Sequence, residues 1–244
     1  MQIDAWLLEH HRRGQHPSTL RFYSWSPPAL SLGYHQRHIP PHWHSLTWQG
    51  KPIELVRRPT GGRAVLHLGD LTYALVTSGI AGDRTRGYRH LCEFLIQGWR
   101  ALGVDLHYGQ AQRTYIHRAD CFDTATDADL VTADGVKLIG SAQLRRGHAI
   151  LQHGSIRLAP DPELVTYVFG SPFTSFPQSG GMAEMAQQPL ALVKMRVMEA
   201  LTIAAAECFH TNLVEQPLSE AEWQAITAMN PLDIRCNPAI SEDS

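Results

Sequence analysis

Two turn dipeptides, Asp134-Gly135 and Arg146-Gly147, sit within a run of strand-forming residues from Leu130 to Leu158, and no other feature constrains the fold as strongly. Such dipeptides favour the tight turns whose twist matches a hairpin, so the segment predicts three consecutive antiparallel strands. If the Asp-Gly turn sets the register, Lys137 lies two residues into a strand and shares a face with Ile139. Gly140, inside that strand, suggests a bulge or room for a ligand. Pairing through Arg146-Gly147 would place His153 opposite Gly140, so that Lys137 and His153 line one pocket wall.

Elsewhere the periodicity changes. Ile3, Trp6, Leu7 and His10 fall on one helical face, so the chain opens on a short amphipathic helix ended near Gly14. Short β-like runs follow at Leu20 to Trp25, Leu30 to Tyr34 and Ile53 to Arg57, and Leu71 to Ser78 is apolar and rich in strand formers. From Tyr88 to Leu102 apolar residues recur at steps of three and four, a core-facing helix with Gly103 as its stop. Ser171 to Gln188 has no periodicity and much Gly, Pro and Ser, which predicts a loop. Leu190 to Phe209 reads as a helix, and Ser219 with Glu222 forms a capping-box pattern. Strands mixed with helices, without regular alternation, predict an α+β fold: a mixed, mostly antiparallel sheet flanked by helices. Residues 1–190 form the expected main domain. Residues 191–244 form a helical extension packed on it, with a flexible tail.

A chain of 244 residues can build its own core, and 43% hydrophobic with 18% charged residues argues against disorder. The formal net charge of -2 gives no reason to expect nucleic acid or an anionic membrane as a partner. No apolar stretch approaches the ~20 residues that span a bilayer, and the N-terminal acidic residue and apolar cluster precede the basic run, the reverse of a signal peptide. The expected location is the cytoplasm. Cys92, Cys121, Cys208 and Cys236 show no C-x-x-C spacing, so reduced thiols are expected. Among the 14 histidines, the cluster His35, His38, His42 and His44 contains two prolines and shows no compact zinc spacing, so no metal site is expected.

The segment from Arg57 to His67, RRPTGGRAVLH, is the densest in unusual chemistry. Gly61 and Gly62 let the backbone turn tightly and approach a ligand, and N–H groups in such a turn favour anions, with Arg57, Arg58 and Arg63 adding charge. The stretch lacks G-x-G-x-x-G and G-K-[ST], which excludes Rossmann and P-loop sites. It fits a surface turn equally well, and His67 alone fits a hydrogen-bonded core histidine better than a catalyst. Lys137, as a bare pattern, likewise fits a snorkelling edge-strand lysine better than a reactive one. Cys121, in the polar run Asp120-Cys121-Phe122-Asp123, is the candidate nucleophile, because Cys92 and Cys208 occupy helical positions suited to packing. A thiol of ordinary pKa, ~8.5, is about 3% thiolate at pH 7, and lowering it by ~2 units beside an ammonium raises that fraction roughly 25-fold. Lys137 could supply the ammonium, against the opposing charges of Asp120 and Asp123.

RRPTGGRAVLH, DGVKLIGSAQ and ILQHGSI, in that order, resemble the biotin/lipoate A/B protein ligase family, and Phe22 to Trp25 and Ser31 to Tyr34 extend the likeness over roughly residues 1 to 170. The resemblance implies that residues 1–190 are a catalytic domain attaching octanoyl or lipoyl groups to a lysine of small carrier domains. Arg57, Arg58, Gly61, Gly62, His67, Gly140, His153 and Gly154 would line the acyl site, and Lys137 would hold the acyl carbonyl. ATP-dependent ligases of the family usually carry a third glycine where Arg63 stands, whereas the Cys/Lys-type octanoyltransferases carry arginine and a segment similar to Cys121-Phe122-Asp123. The chain also begins where relatives tend to have a further N-terminal strand. The implied reaction passes octanoyl from acyl carrier protein through a Cys121 thioester to a lipoyl carrier domain, the glycine cleavage H protein or a 2-oxoacid dehydrogenase subunit. Lys137 or His153 would accept the amine proton, and no cofactor or metal is required. The alternatives are an ATP- and Mg²⁺-dependent lipoate ligase, an octanoyl amidotransferase between carrier domains, and a non-catalytic carrier-binding protein.

Overall fold

The computed structural model describes residues 1–109, 128–170, 173, 176–177 and 180–229. Among the described residues a six-stranded antiparallel sheet, in the order β1-β7-β11-β10-β9-β8, organises the fold. Its strands are β1 (Thr19–Tyr23), β7 (Asp70–Ser78), β8 (Leu106–Tyr108), β9 (Leu130–Thr132), β10 (Lys137–Arg146) and β11 (Ala149–Arg157). A second sheet, β5-β2-β6, pairs β2 (Ala29–Leu32) in parallel with β5 (Glu54–Arg57) and antiparallel with β6 (Val65–His67). Two short strands, β3 (Thr47–Trp48) and β4 (Lys51–Pro52), form a separate ladder.

Alternation assigns each face of the large sheet its own helices. Leu71, Tyr73, Leu75, Ile150 and Ile156 turn one way, against Leu91, Phe94, Leu95 and Trp99 of α2 (Arg84–Ala101). Val193, Val197 and Leu201 of α5 (Leu190–Cys208) join the same core. Ala74, Val76, Ala149 and Leu151 turn the other way, against Trp6, Leu7 and Leu8 of α1 (Gln2–Arg12). The Asp83 side chain caps α2 by accepting from the Arg86 amide at 2.8 Å. The capping box holds: Ser219 and Glu222 bond reciprocally at the start of α6 (Glu220–Ala228).

Several local expectations need correction. The segment Ser171 to Gln188 contains a short helix, α4 (Gly181–Met185), because Met182 and Met185 reach the core. A helix without a counterpart in the sequence reading, α3 (Pro162–Phe169), covers the small sheet with Leu164 and Val168. The β10–β11 turn is Gly147-His148, one residue later than expected, with Arg146 paired to Ala149 and Gly147 at φ 59°. Glycine at the first central position suits a type II′ turn. That shift pairs His153 with Ala142 and Gly140 with Ser155. A bulge also separates Lys137, paired with Val131, from Ile139, paired with Leu130, and so places Lys137 and Ile139 on opposite faces. The expected tail beyond α6 lies outside the described residues.

Candidate active site

The bulge turns Lys137 towards the face that also carries Gly140, Ala142, His153 and Ser155. Lys137 and His153 therefore do share a face, through a register different from the expected one. The Lys137 ammonium meets Asp129 Oδ1 at 2.8 Å, with the two side chains 2% and 6% exposed. Gly140 makes room for this pair: a methyl group there would sit 3.0 Å from Lys137 Cε and 3.2 Å from Nζ. Asp129, which no local motif marks, is thus the partner that holds a buried cation in the site.

The loop after β5 carries the glycine pair. Arg57 donates to the carbonyls of Gly33 and Gln36 at 2.8 and 2.9 Å, bracing the turn after β2. Arg58, buried, donates to Ser31 O at 2.9 Å, to Gly61 O at 2.9 Å and to Arg63 O at 2.6 Å, and so closes the loop on itself. These contacts commit both guanidinium groups largely to carbonyls rather than to a surface anion site. Gly62, at φ 94°, packs its carbonyl onto Gly33 so closely that a methyl on Gly33 would lie 1.8 Å from Gly62 O. A Gly33→Ala protein should therefore lose about 1–3 kcal/mol in a denaturant melt, the usual range for overpacking. An unchanged midpoint would show that the loop moves aside freely.

Two hydroxyl–imidazole–carboxylate chains join the loop and small sheet to the large sheet. In the first, Arg58 donates to Ser31 Oγ at 3.2 Å, which leaves the Ser31 proton for His67 Nε2 at 2.8 Å and the His67 Nδ1 proton for Asp70 Oδ2 at 2.7 Å. Ser155 also donates to Asp70, and Trp25 stacks on the His67 ring with centroids 4.4 Å apart. His67 is placed as a core histidine holding two layers together. In the second chain, Thr60 Oγ1 lies 2.6 Å from His153 Nε2. His153 Nδ1 faces Asp4 Oδ2 at 3.6 Å, too long for a hydrogen bond but close enough for the charge to act. Asp4 in turn accepts from Arg21 at 2.6 Å and from Tyr23 at 2.9 Å. Burial lowers the His153 imidazole below its ordinary value, against the pull of Asp4, and Arg58 adds to the lowering. For Asp4, burial acts to raise the carboxyl, but His153, the Met1 ammonium and Arg21 together hold it well below the usual carboxylate range.

Gly154 belongs to the opposite face, where a methyl would meet Gly140 O, Ser141 Oγ and the Tyr73 ring, each at 2.7 Å. It supports strand packing rather than facing the Lys137 pair. Cys92 also lies there, fully buried, accepting from Gln152 at 3.2 Å, with its thiol pushed up to about 12 by burial. Such a thiol is inert at neutral pH. Cys208 is only partly buried, at the end of α5. Cys121 and Cys236 lie outside the described residues. Asp4, Thr60, Asp129 and Ser31 were missed in the sequence because each acts through a partner distant in the chain or a register that only the fold sets; Asp70, three residues from His67, was missed although its partner is local.

Residues 1–206 match the family described as "Lipoyl protein ligase A/B catalytic domain". The Octanoyltransferase LipM of Kyrpidia tusciae is 42% identical over 183 residues, covering 70% of this chain and 66% of its own length. The chain's match thus spans just under two thirds of that relative. The Octanoyltransferase LipM of Lysinibacillus sphaericus is 33% identical over 97% of this chain and 92% of its own. In fold, the chain is similar to the bipartite lipoate protein ligase of Thermoplasma acidophilum, solved in work on that ligase and its E2 lipoyl domain, at a TM-score of 0.65 and 20% identity over 98% of this chain and 94% of that one.

Proposed function

Because the chain belongs to the lipoyl protein ligase A/B catalytic domain family, we propose that it is an octanoyltransferase of protein lipoylation. It takes octanoyl from acyl carrier protein and delivers it to a lysine of a lipoyl carrier domain. The observation that carries this reading is the likeness to octanoyltransferases at 33–42% identity, one of them matched over 97% of this chain. Arg63, where ATP-dependent relatives usually have glycine, favours transfer over ligation.

In this reading the Cys121 thiolate attacks the donor thioester, the carbonyl–sulfur bond to the carrier breaks, and an acyl-enzyme results. The buried Lys137 ammonium, fixed by Asp129, stabilises the thiolate and the oxyanion that forms on the acyl carbonyl. The eight-carbon chain enters an apolar slot at about 0.8 kcal/mol per buried CH₂. The lysine of the acceptor domain then displaces the sulfur and leaves with an amide. No cofactor takes part. Among the described residues, no helix is long and apolar enough to cross a membrane, which suits encounters with diffusing carrier domains.

Intact mass spectrometry after mixing with octanoyl-acyl carrier protein, without ATP, tests the proposal. One octanoyl group on the protein, mapped to Cys121, is the expected result. Octanoyl reaching a carrier domain only when ATP and free octanoate are supplied would make the protein a ligase.

A further inference from the structure

We propose that the exposed loop from His35 to His38 receives the acyl donor, with Arg37 binding the phosphodiester at the root of the donor's pantetheine arm. The inference rests on the acyl-transfer reading above and names the surface through which the donor enters.

Charge is spread unevenly along the chain. Residues 33–69, which run from the end of β2 through β6, contain five basic residues, Arg37, Lys51, Arg57, Arg58 and Arg63, and one acidic residue, Glu54. The rest of the chain carries 16 Lys and Arg against 22 Asp and Glu, so a protein of small net charge has one basic layer. The exception stands away from the loop. Glu54 pairs with Ala29, three residues back from the Leu32–Arg57 pair where the loop begins, about 10 Å along the strand.

Topology puts that charge beside the site. β2 and β5 run parallel and β6 returns, so the loops after β2, after β5 and before β6 meet at one end of the small sheet. There the Tyr34 amide donates to Thr60 O at 2.8 Å, and the Thr60 hydroxyl meets His153 on the Lys137 face of the large sheet. Arg57 and the Gln36 amide, which donates to Gly33 O at 3.0 Å, fix the backbone of the loop, while His35, Arg37 and His38 stay exposed. Bonds to carbonyls leave the Arg57 charge in place, and no ion pair among the described residues involves Arg37 or Arg57. In the neighbouring turn Gly62 is exposed and a methyl on Gly61 would find nothing within 4 Å, so its backbone is open to a ligand.

Donor and acceptor differ in the charge they bring to this rim. The acceptor presents a lysine ammonium, which a cationic surface repels. The donor's arm joins its carrier through a phosphodiester, and guanidinium matches phosphate oxygens with paired, charge-assisted hydrogen bonds. Ring N–H groups of the exposed His35 and His38 add donors on either side of Arg37. Length agrees with the assignment. From sulfur to phosphorus the arm spans about as much as four extended residues, roughly 14 Å. Arg37 stands three residues, at most ~11 Å of chain, from the contact between Tyr34 and Thr60. An arm rooted on Arg37 therefore reaches past that turn towards Lys137.

Three donors test the docking: octanoyl-pantetheine, octanoyl-4′-phosphopantetheine and octanoyl-acyl carrier protein, each followed by adduct mass over a range of concentrations. The unaltered protein should use the phosphorylated small donor about 10-fold better in kcat/KM than the unphosphorylated one, and the preference should weaken at high salt. Arg37→Gln should abolish the preference and raise KM for the carrier about 10-fold, with kcat within about 3-fold. Arg100→Gln, which removes an exposed charge from α2, should change neither. No phosphate preference in the unaltered protein, or equal losses in Arg37→Gln and Arg100→Gln, would overturn the docking. A preference that survives Arg37→Gln while the carrier slows would mean that the loop meets carboxylates of the carrier, and would overturn the phosphodiester assignment. Slower delivery from the acylated Arg37→Gln protein to glycine cleavage H protein, with acylation unchanged, would give the loop to the acceptor instead. If Arg37→Gln does not fold, salt decides: a preference equal at about 0.05 M and about 0.5 M overturns the docking. An unaltered protein that takes no acyl group from any donor would overturn the transfer reading, and the docking with it.

Discussion

A Lys137→Ala protein should form the octanoyl adduct about 10²–10³-fold more slowly, the range measured when one preorganised electrostatic stabiliser is removed from a reacting centre. It should also lose about 3–5 kcal/mol of stability, because a buried ion pair broken on one side leaves the other charge uncompensated. Asp129, 6% exposed, is the carboxylate that would lose this ammonium. For a chain of this size the loss is a melting temperature lower by about 6–20 °C. Stability and chemistry can be parted by a second change. Lys137→Ala with Asp129→Asn removes both charges and should recover most of the stability and none of the rate, as read by calorimetry and by adduct formation. A double variant that regained the rate would mean that Lys137 supports the fold and not the reaction.

Asp4→Ala should be nearly as damaging to stability, although Asp4 lies on α1 and far in sequence from every motif. Its carboxylate is fully buried and holds Arg21 at 2.6 Å and Tyr23 at 2.9 Å. Arg21 is 22% exposed and reaches water, so the loss should fall near ~3 kcal/mol, the lower end for a broken buried pair. The pH dependence has a definite sign. A carboxyl whose folded value is depressed contributes fully above the unfolded value, ~3.9, and loses that contribution as pH falls towards the folded one. Asp4 is depressed well below its ordinary value. The two denaturation midpoints should therefore differ most at neutral pH and converge below pH ~4. A gap that stays constant from pH 5 to pH 2 would refute the account.

How much was legible in the sequence depended on how far each interaction reaches. The α2 spacing and the Ser219–Glu222 capping box are local, and each corresponds to the element expected from it, whereas the hairpin dipeptides marked the hairpins but not their registers. Helix α3 was missed with its signals in plain view: Asp161 caps it, Pro162 starts it and Gly170 closes it in the left-handed region. Its eight residues are too few for apolar periodicity to stand out. Register errors had a different cause. A turn displaced by one residue and a bulge at Leu138 both change which residues face each other, and neither can be read from residue type alone. Asp129 and Thr60 became visible only once strands and loop had been placed in space. Arg57 and Arg58 show the converse: their composition suggested charge on offer, but the fold directs them to backbone carbonyls.

The strand order β1-β7-β11-β10-β9-β8 also bears on how the protein ages. Lys137 and His153 sit on β10 and β11, each flanked by a strand on both sides, while among the described residues β1 and β8 form the edges. Fraying at an edge leaves inner ladders intact, so amides of β10 and β11 should exchange with deuterium among the slowest, through openings close to global unfolding. Loss of the Lys137 and His153 geometry on storage should then track loss of the whole sheet.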